Sequence, residues 1–193
     1  MTTFDEILGG HRIMVILRGL SPEDTLAAST AAWDAGVEHV EVPIGEEHQV
    51  AALAAAVEAG ADRGKSVGAG TVVSARHVEW AHGAGAAYTV APSLSPAVAG
   101  ASASAGMPHL PGVATPTEAA QAVNLGLDWV KVFPAAALGP AWFKAVKGPF
   151  PRLRTVATGG VKPETAPDYL AAGADVVGMG SNLGDPAKLA ELL

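Results

Sequence analysis

A phrase that recurs four times along the chain constrains its fold more than any other feature of the sequence. Each copy has Ala or Leu, then Gly, then a short run of residues that favour β-strands. The copies are AGVEHVEV at 35–42, AGAAYTVA at 84–91, LGLDWVKV at 125–132 and AGADVVGM at 172–179. A glycine just past a helix tolerates the left-handed backbone that ends it, and a short apolar run suits a strand covered on both faces. Each copy therefore predicts a helix end followed by a buried strand.

Counting every run of this kind gives eight candidate strands, and their starts are 20 to 29 residues apart. The strands are 13–18, 37–42, 66–71, 86–91, 107–112, 127–133, 153–158 and 174–179. Helix-start signals with Pro in the first turn lie between them, at Ser21-Pro22, Ser95-Pro96, Thr115-Pro116 and Lys162-Pro163. Eight strand-helix units joined by right-handed crossovers predict an α/β fold, a single (β/α)8 TIM barrel. An open, doubly wound sheet remains the alternative, because periodicity does not show closure.

The barrel is expected to be compact, with residues 1–193 forming one domain. A TIM barrel typically has about 250 residues, so the loops of this shorter chain must be short. Residues 4–10 predict a short N-terminal helix that covers the bottom of the barrel, and 186–192 predict a short final helix.

Composition excludes several classes of function. The formal net charge is −7, and the 12 Lys and Arg residues are scattered along the chain, so nucleic acid is not an expected partner. The absence of cysteine rules out disulfides, thiolate nucleophiles and cysteine-based zinc sites. Apolar runs are too short for a membrane span, and the acidic N-terminus is unlike a signal peptide. We expect a cytoplasmic protein with no membrane contact.

Several polar residues fall near the carboxyl ends of predicted strands, where parallel barrels carry their active sites. Arg18 ends the first strand, Glu41 is near the end of the second, Thr71 ends the third, and Lys131 lies in the sixth. Lys131 stands out because its sequence neighbours Val130 and Val132 are apolar, and lysine is rarely buried without a partner.

Lys131 and Glu41 each have two possible roles. Burial favours the neutral amine that a Schiff-base nucleophile needs, although Lys131 could instead reach solvent from a strand edge. Glu41 could be a general acid/base or a structural ion-pair partner. In both cases we expect Glu41 to lie beside Lys131.

Two glycine-rich turns follow the last two predicted strands and predict a phosphate site. Glycines let backbone N–H groups approach an anion, and loops after strands seven and eight commonly bind phosphate in this fold. The candidate phosphate residues are Thr158, Gly159, Gly160, Gly180 and Ser181. The six histidines show no metal-ligand spacing, so no metal site is predicted, and Gly68-Ala69-Gly70 lacks the third glycine of a dinucleotide fingerprint.

Seven segments, taken in order, resemble the 2-keto-3-deoxy-6-phosphogluconate (KDPG) aldolase family, which includes 6-phosphogalactonate (KDPGal) and 4-hydroxy-2-oxoglutarate (KHG) aldolases. The resemblance runs from about residue 12 to about residue 183. The segments are Ile16-Leu17-Arg18-Gly19, Val40-Glu41-Val42-Pro43, Gly68-Ala69-Gly70-Thr71-Val72, Pro111-Gly112-Val113-Ala114-Thr115-Pro116, Val130-Lys131-Val132-Phe133-Pro134-Ala135, Thr158-Gly159-Gly160-Val161 and Gly178-Met179-Gly180-Ser181.

The resemblance implies a class I aldolase that cleaves a 2-keto-3-deoxy-6-phospho sugar acid to pyruvate and glyceraldehyde 3-phosphate. It implies that Lys131 forms an imine with pyruvate, that Glu41 moves protons and that Thr71 lines the pyruvate site, where we also expect Pro92 and Phe133. No cofactor is needed. A phosphorylated keto acid is the implied partner, and a homotrimer is the implied assembly.

Two departures from the family leave the substrate open. Many gluconate-type members have an arginine shortly after the glutamate, where this chain has Gly45. We expect Arg18 to hold the pyruvate carboxylate instead, as in galactonate-type enzymes. An acidic residue that many members carry after the sixth-strand Phe-Pro-Ala is replaced here by Ala136 or Ala137. The alternatives are a KHG aldolase, another phosphate-barrel enzyme such as an isomerase or thiazole-type synthase, and a non-catalytic phosphosugar-binding barrel.

Overall fold

The computed structural model describes residues 3–180 and residue 193, and within them nine parallel strands form one sheet. The predicted helix at 186–192 and the predicted phosphate residue Ser181 lie outside the described residues. The strands are β1 (Ile13–Ile16), β2 (His39–Pro43), β3 (Val67–Gly70), β4 (Tyr88–Val90), β5 (His109–Leu110), β6 (Gly112–Val113), β7 (Trp129–Val132), β8 (Arg154–Thr158) and β9 (Val176–Gly180). Arg18 and Thr71, expected as the last residues of their strands, lie just beyond β1 and β3.

The sheet closes into a barrel through the fifth predicted strand. The strand order is β5-β4-β3-β2-β1-β9-β8-β7-β6, and its two outer strands are separated in sequence only by Pro111. On one side the Ala91 N–H donates to the Leu110 carbonyl at 3.0 Å, and on the other the Lys131 N–H donates to the Pro111 carbonyl at 2.8 Å. The predicted barrel is therefore confirmed. The single strand expected at 107–112 is split, because Pro111 has no N–H for the ladder.

The helices are α1 (Phe4–Leu8), α2 (Pro22–Asp34), α3 (Val50–Ala61), α4 (Ala75–Gly83), α5 (Pro96–Ser104), α6 (Pro116–Asn124), α7 (Ala135–Leu138), α8 (Pro140–Lys147) and α9 (Ala166–Ala171), with a 3-10 turn at Glu47–Gln49. Ser21, Ser95 and Thr115 cap the helices predicted to begin there. The prediction at Lys162-Pro163 was wrong by one turn. There the Lys162 N–H donates to the Thr165 hydroxyl at 3.1 Å, so this segment forms a turn before α9.

The four glycines of the recurring phrase have the predicted backbone. Gly36, Gly85, Gly126 and Gly173 all have positive φ, between 74° and 103°. Each one follows a helix and precedes a strand, so the phrase ends each helix as expected.

The amino end of the barrel interior is filled by apolar side chains and covered by α1, as predicted. One buried cluster combines α1 with inward-facing residues of the strands: Phe4, Ile7, Leu8, Met14, Tyr88, Val90, Leu110, Trp129, Val156 and Val176. Trp129 also donates its indole N–H to the Asp5 carboxylate at 2.9 Å, which ties α1 to β7. A second cluster fills the layer between the sheet and the outer helices. Within the described residues, no helix has the length and apolarity to cross a membrane.

Candidate active site

Glu41 and Lys131 face each other inside the barrel. Lys131 Nζ lies 3.5 Å from Glu41 Oε1, and the two side chains are 5% and 0% exposed. Glu41 comes from β2, and Lys131 comes from β7 on the far side of the barrel. Burying two charges is costly unless they pair, so their contact explains how both can sit in an otherwise apolar interior.

The Glu41 carboxylate fits because β3 has a glycine beside it. A Cβ on Gly70 would lie 2.1 Å from Glu41 Oε1 and 2.8 Å from its Cδ, so a side chain there would displace the carboxyl group. Among the described residues, neither Glu41 oxygen has a hydrogen-bond partner. The contact with Lys131 is an ion pair without good hydrogen-bond geometry.

Arg18 and Thr71 meet at the mouth of the barrel. An Arg18 guanidinium N–H donates to the Thr71 hydroxyl at 3.4 Å. Thr71 has a φ of 60°, which is rare for a β-branched residue and marks local strain. Strain of this kind gathers at sites where the surrounding structure fixes a side chain for function. Arg18 itself is exposed, so its charge faces the open end of the barrel.

A cavity of about 250 Å³ opens beside Lys131 at this end of the barrel. Of the predicted site residues, it is lined by Arg18, Lys131, Phe133, Thr158, Gly159, Gly160 and Gly180. Ile16, Val161 and Gly178 complete its wall. Glu41, Thr71 and Pro92 do not line the cavity, although Glu41 and Thr71 contact residues that do. The amine, the guanidinium and the glycine turn therefore share one space.

The turn after β8 has a backbone conformation and close packing that require glycine. Gly159 and Gly160 have φ values of 90° and 79°. A Cβ on Gly159 would lie 2.8 Å from the Phe133 ring, and one on Gly160 would lie 2.7 Å from the Ala136 Cβ. The Gly159 carbonyl accepts from the Ala136 N–H at 2.9 Å, which fixes this turn against the segment after β7.

Pro92, which we expect at the pyruvate end, packs against the barrel wall. Its main chain packs against β6, where a Cβ on Gly112 would lie 2.2 Å from the Pro92 carbonyl carbon. Pro92 therefore helps to hold the two pieces of the fifth predicted strand in place.

Three residues shape the site in ways that reasoning from sequence did not predict. Gly70 makes room for Glu41, and Gly178 makes room for Thr158, whose Cγ2 would lie 2.6 Å from a Cβ there. Tyr88 lies buried near Glu41 on β4. Glycine at interior strand positions is a usable signal, because it marks places where another group approaches the backbone closely.

Two histidines are buried away from the cavity. Burial, reinforced by the neighbouring His11, lowers the pKa of His39 to about 4. Burial also lowers the pKa of His109 to about 4. His109 Nδ1 lies 2.8 Å from the Thr89 hydroxyl in the layer outside the sheet. In the described part of the chain, no group of three or more His, Asp or Glu side chains is arranged to hold a metal ion.

Several known proteins resemble this chain in sequence and fold. The sequence pattern of an aldolase family described as KDPG and KHG aldolase matches residues 4–191. A Rhizobium meliloti protein named "Probable 2-dehydro-3-deoxy-6-phosphogalactonate aldolase" is 36% identical over 179 residues, 92% of this chain and 84% of that protein. The Escherichia coli 2-dehydro-3-deoxy-6-phosphogalactonate aldolase is 36% identical over 172 residues, 89% and 83% of the two chains.

Solved structures agree with the sequence relatives. The KDPG aldolase of Legionella pneumophila, with pyruvate captured at low pH as a covalent carbinolamine intermediate, has a TM-score of 0.86 and 26% identity. The match covers 98% of this chain and 92% of that one. The closed barrel agrees with the sequence pattern and with the relatives. The chain therefore belongs to the KDPG and KHG aldolase family of carbon-carbon lyases.

Proposed function

We propose that the chain cleaves a 2-keto-3-deoxy-6-phospho sugar acid to pyruvate and glyceraldehyde 3-phosphate, with Lys131 as the Schiff-base nucleophile and Glu41 as its proton-transfer partner. The observation that carries this proposal is the buried 3.5 Å contact between the Lys131 amine and the Glu41 carboxylate beside an open cavity. A covalent pyruvate intermediate in the Legionella relative supports the same chemistry.

The reaction begins when Lys131 passes a proton to Glu41 and its amine attacks the keto carbon of the substrate. Glu41 passes protons while the carbinolamine loses water and becomes a cationic imine. The C4 hydroxyl then gives its proton to the Glu41 carboxylate, the C3–C4 bond breaks, and the electrons of that bond move into the imine as the aldehyde leaves. Glu41, directly or through a water, protonates C3 of the resulting enamine. Hydrolysis releases pyruvate and restores the amine, so the iminium serves as the electron sink.

Arg18 and the glycine turns provide the anion contacts in this proposal. A guanidinium can bind a carboxylate through two parallel hydrogen bonds, and Thr71 holds Arg18 at the mouth of the barrel. Backbone N–H groups of Gly159, Gly160 and Gly180 would bind the phosphate, joined by Thr158 and Ser181. Arg18 and the turn line the same cavity, so a phosphate and a carboxylate can both approach the guanidinium.

The galactonate-type acid is the substrate that we favour. Gly45 has no side chain to bind the carboxylate, and both sequence relatives at 36% identity are named for the 6-phosphogalactonate acid. Side-by-side turnover of KDPGal, KDPG and 4-hydroxy-2-oxoglutarate tests this choice. Faster cleavage of KDPG or of the hydroxy-oxoglutarate would reassign the substrate without changing the chemistry.

The nucleophile is tested by trapping. Borohydride added with pyruvate should reduce the imine and leave a permanent adduct that peptide mapping places on Lys131. Lys147 serves as an internal control, because it is occupied by the Asp175 carboxylate at 3.0 Å and the Leu153 carbonyl. Mass on another lysine, or no adduct while turnover is measurable, would disprove the assignment of Lys131.

The role of Glu41 is tested by Glu41→Gln. The amide keeps the size of the side chain but cannot exchange protons near neutral pH, so turnover should fall by about 10²–10⁴-fold, the usual scale for such a group. The pyruvate adduct should still form, more slowly. Unchanged turnover would remove Glu41 from the mechanism.

We also propose a cytoplasmic homotrimer, on the strength of the family alone. Sedimentation velocity of the purified chain measures the assembly directly. A monomer or dimer with full aldolase activity would show that trimer formation is not needed for the chemistry.

A further inference from the structure

Tyr88 reaches across the barrel interior toward the strand that carries Glu41. Gly68 of β3 pairs with Glu41 of β2 on one side and with Tyr88 of β4 on the other, so all three lie at one level. A Cβ on Gly68 would lie 2.0 Å from Tyr88 Cε2, which shows that the ring passes directly over this glycine. The Tyr88 hydroxyl then donates to the Val40 carbonyl at 3.2 Å. Tyr88 thus spans one strand and bonds to the residue that precedes Glu41.

Glu41 has few other contacts that could fix its position. Its two carboxylate oxygens lack hydrogen-bond partners among the described residues, and the Lys131 amine 3.5 Å away must move when it attacks a substrate. The carboxyl group lies directly over Gly70, which has no side chain to hold it. Direct hydrogen bonds therefore do not orient this side chain, and its placement depends on the strand beneath it.

Tyr88 is itself held firmly. It is fully buried, and its ring packs edge-on against Phe4 of α1 at a centroid distance of 5.6 Å. Burial, and then the nearby Glu41 charge, raise the pKa of Tyr88, so the phenol remains protonated and keeps its hydrogen bond to Val40. The amino-end cluster therefore supports the ring from below.

We propose that Tyr88 is a positioning residue for Glu41, with its ring as the floor under the carboxylate and its hydroxyl fixing the main chain of β2 immediately before it. This inference rests on the proposed function, because it assumes that Glu41 transfers the protons. Tyr88 touches no reacting atom, and it acts on proton transfer only through the placement of Glu41.

The experiment compares Tyr88→Phe and Tyr88→Leu with Tyr169→Phe. Tyr169 is a matched control, because its buried hydroxyl also donates to a main-chain carbonyl, that of Ala135 at 3.3 Å, but in the layer outside the sheet. Both Tyr→Phe variants should lose similar stability, because each gives up one buried hydrogen bond. Two measurements separate them: kcat and KM for aldol cleavage, and exchange of the pyruvate methyl protons in D2O followed by NMR. Exchange reports proton transfer to the enamine and needs no phosphate group.

Tyr88→Phe should slow exchange and kcat several-fold at unchanged KM, while Tyr169→Phe leaves exchange unchanged. Tyr88→Leu removes the ring under the carboxylate. Exchange and kcat should then fall by nearly 10²-fold, roughly the scale for an ångström of misplacement. The inference would be overturned if both Tyr88 variants exchanged protons as fast as Tyr169→Phe does. If Tyr88→Leu does not fold, the result for Tyr88→Phe alone decides. Normal exchange in Glu41→Gln would instead overturn the proposed function, so the two failures are distinguishable.

Discussion

At the amino end of the barrel, Phe4, Leu8, Met14, Leu110 and Trp129 fill the interior, whereas at the carboxyl end Gly178 and Gly180 line a cavity of about 250 Å³. At the closed end, the Trp129 indole N–H has a hydrogen-bond acceptor in the Asp5 carboxylate. The open end holds a carboxylate and an amine that, among residues 3–180, have only each other as an ionic partner. The contrast shows that packing maximises stability at one end, while the other end gives up packing and hydrogen bonds to keep reactive groups available.

Filling the open end should have the largest effect. Gly70→Ala places a Cβ 2.1 Å from Glu41 Oε1, so the carboxylate must move away from Lys131. Turnover should fall by about 10²–10⁴-fold, as if the acid/base group had been lost. Steady-state cleavage measures this, with Gly100→Ala in α5 as the control because a Cβ there meets nothing within 4 Å. Equal turnover in the two variants would show that Glu41 tolerates displacement.

Emptying the closed end should affect stability and spare the chemistry. Leu8→Ala removes a fully buried side chain from α1, and leaves a cavity that costs about 2–5 kcal/mol. Urea unfolding gives the free energy, and turnover per folded molecule should stay close to that of the unmodified chain. A large fall in kcat without loss of stability would contradict the division between the two ends.

Acid should destabilise the protein through its buried histidines. The pKa values of His39 and His109 are lowered from 6.5 to about 4, so between these pH values the unfolded chain binds protons that the folded chain does not. The contribution of these histidines to the free energy of unfolding is therefore fully present above about pH 6.5. It is lost as the pH falls toward 4, by about 3 kcal/mol per histidine. His109→Gln should flatten the curve of unfolding free energy against pH over this range. An unchanged slope would show that His109 is not the group that titrates.

Relieving strain at the open end should have the smallest effect. Thr71→Gly removes a β-branched residue from a φ of 60°, and the greater freedom of glycine in the unfolded chain offsets part of the gain. We expect stability to rise by up to about 1 kcal/mol, while KM for the keto acid rises because Arg18 loses its hydroxyl contact. Lower stability of Thr71→Gly would show that the conformation of Thr71 is not strained, and an unchanged KM would show that the Thr71 hydroxyl does not position Arg18.

Local signals predicted most of the fold and part of the site. The recurring Gly phrase located four helix ends, and Ser or Thr before Pro located three helix starts, because caps and left-handed turns depend only on neighbouring residues. The start expected at Lys162-Pro163 failed, since Lys162 offers no side-chain acceptor for the helix N-terminus. Lys131 and Glu41 stood out because charged residues are unusual in buried strands.

By itself, then, the sequence determined the eight strand-helix units, the apolar surroundings of Lys131 and the chemistry that its residues permit. Only the tertiary structure decided that the barrel closes at Pro111, that Lys131 and Glu41 stand 3.5 Å apart, and that Arg18 shares a cavity with the glycine turn. The physical reason is that closure and side-chain proximity depend on the register between strands far apart in sequence. Register is fixed by the packing of the whole barrel, which no local pattern of residues contains.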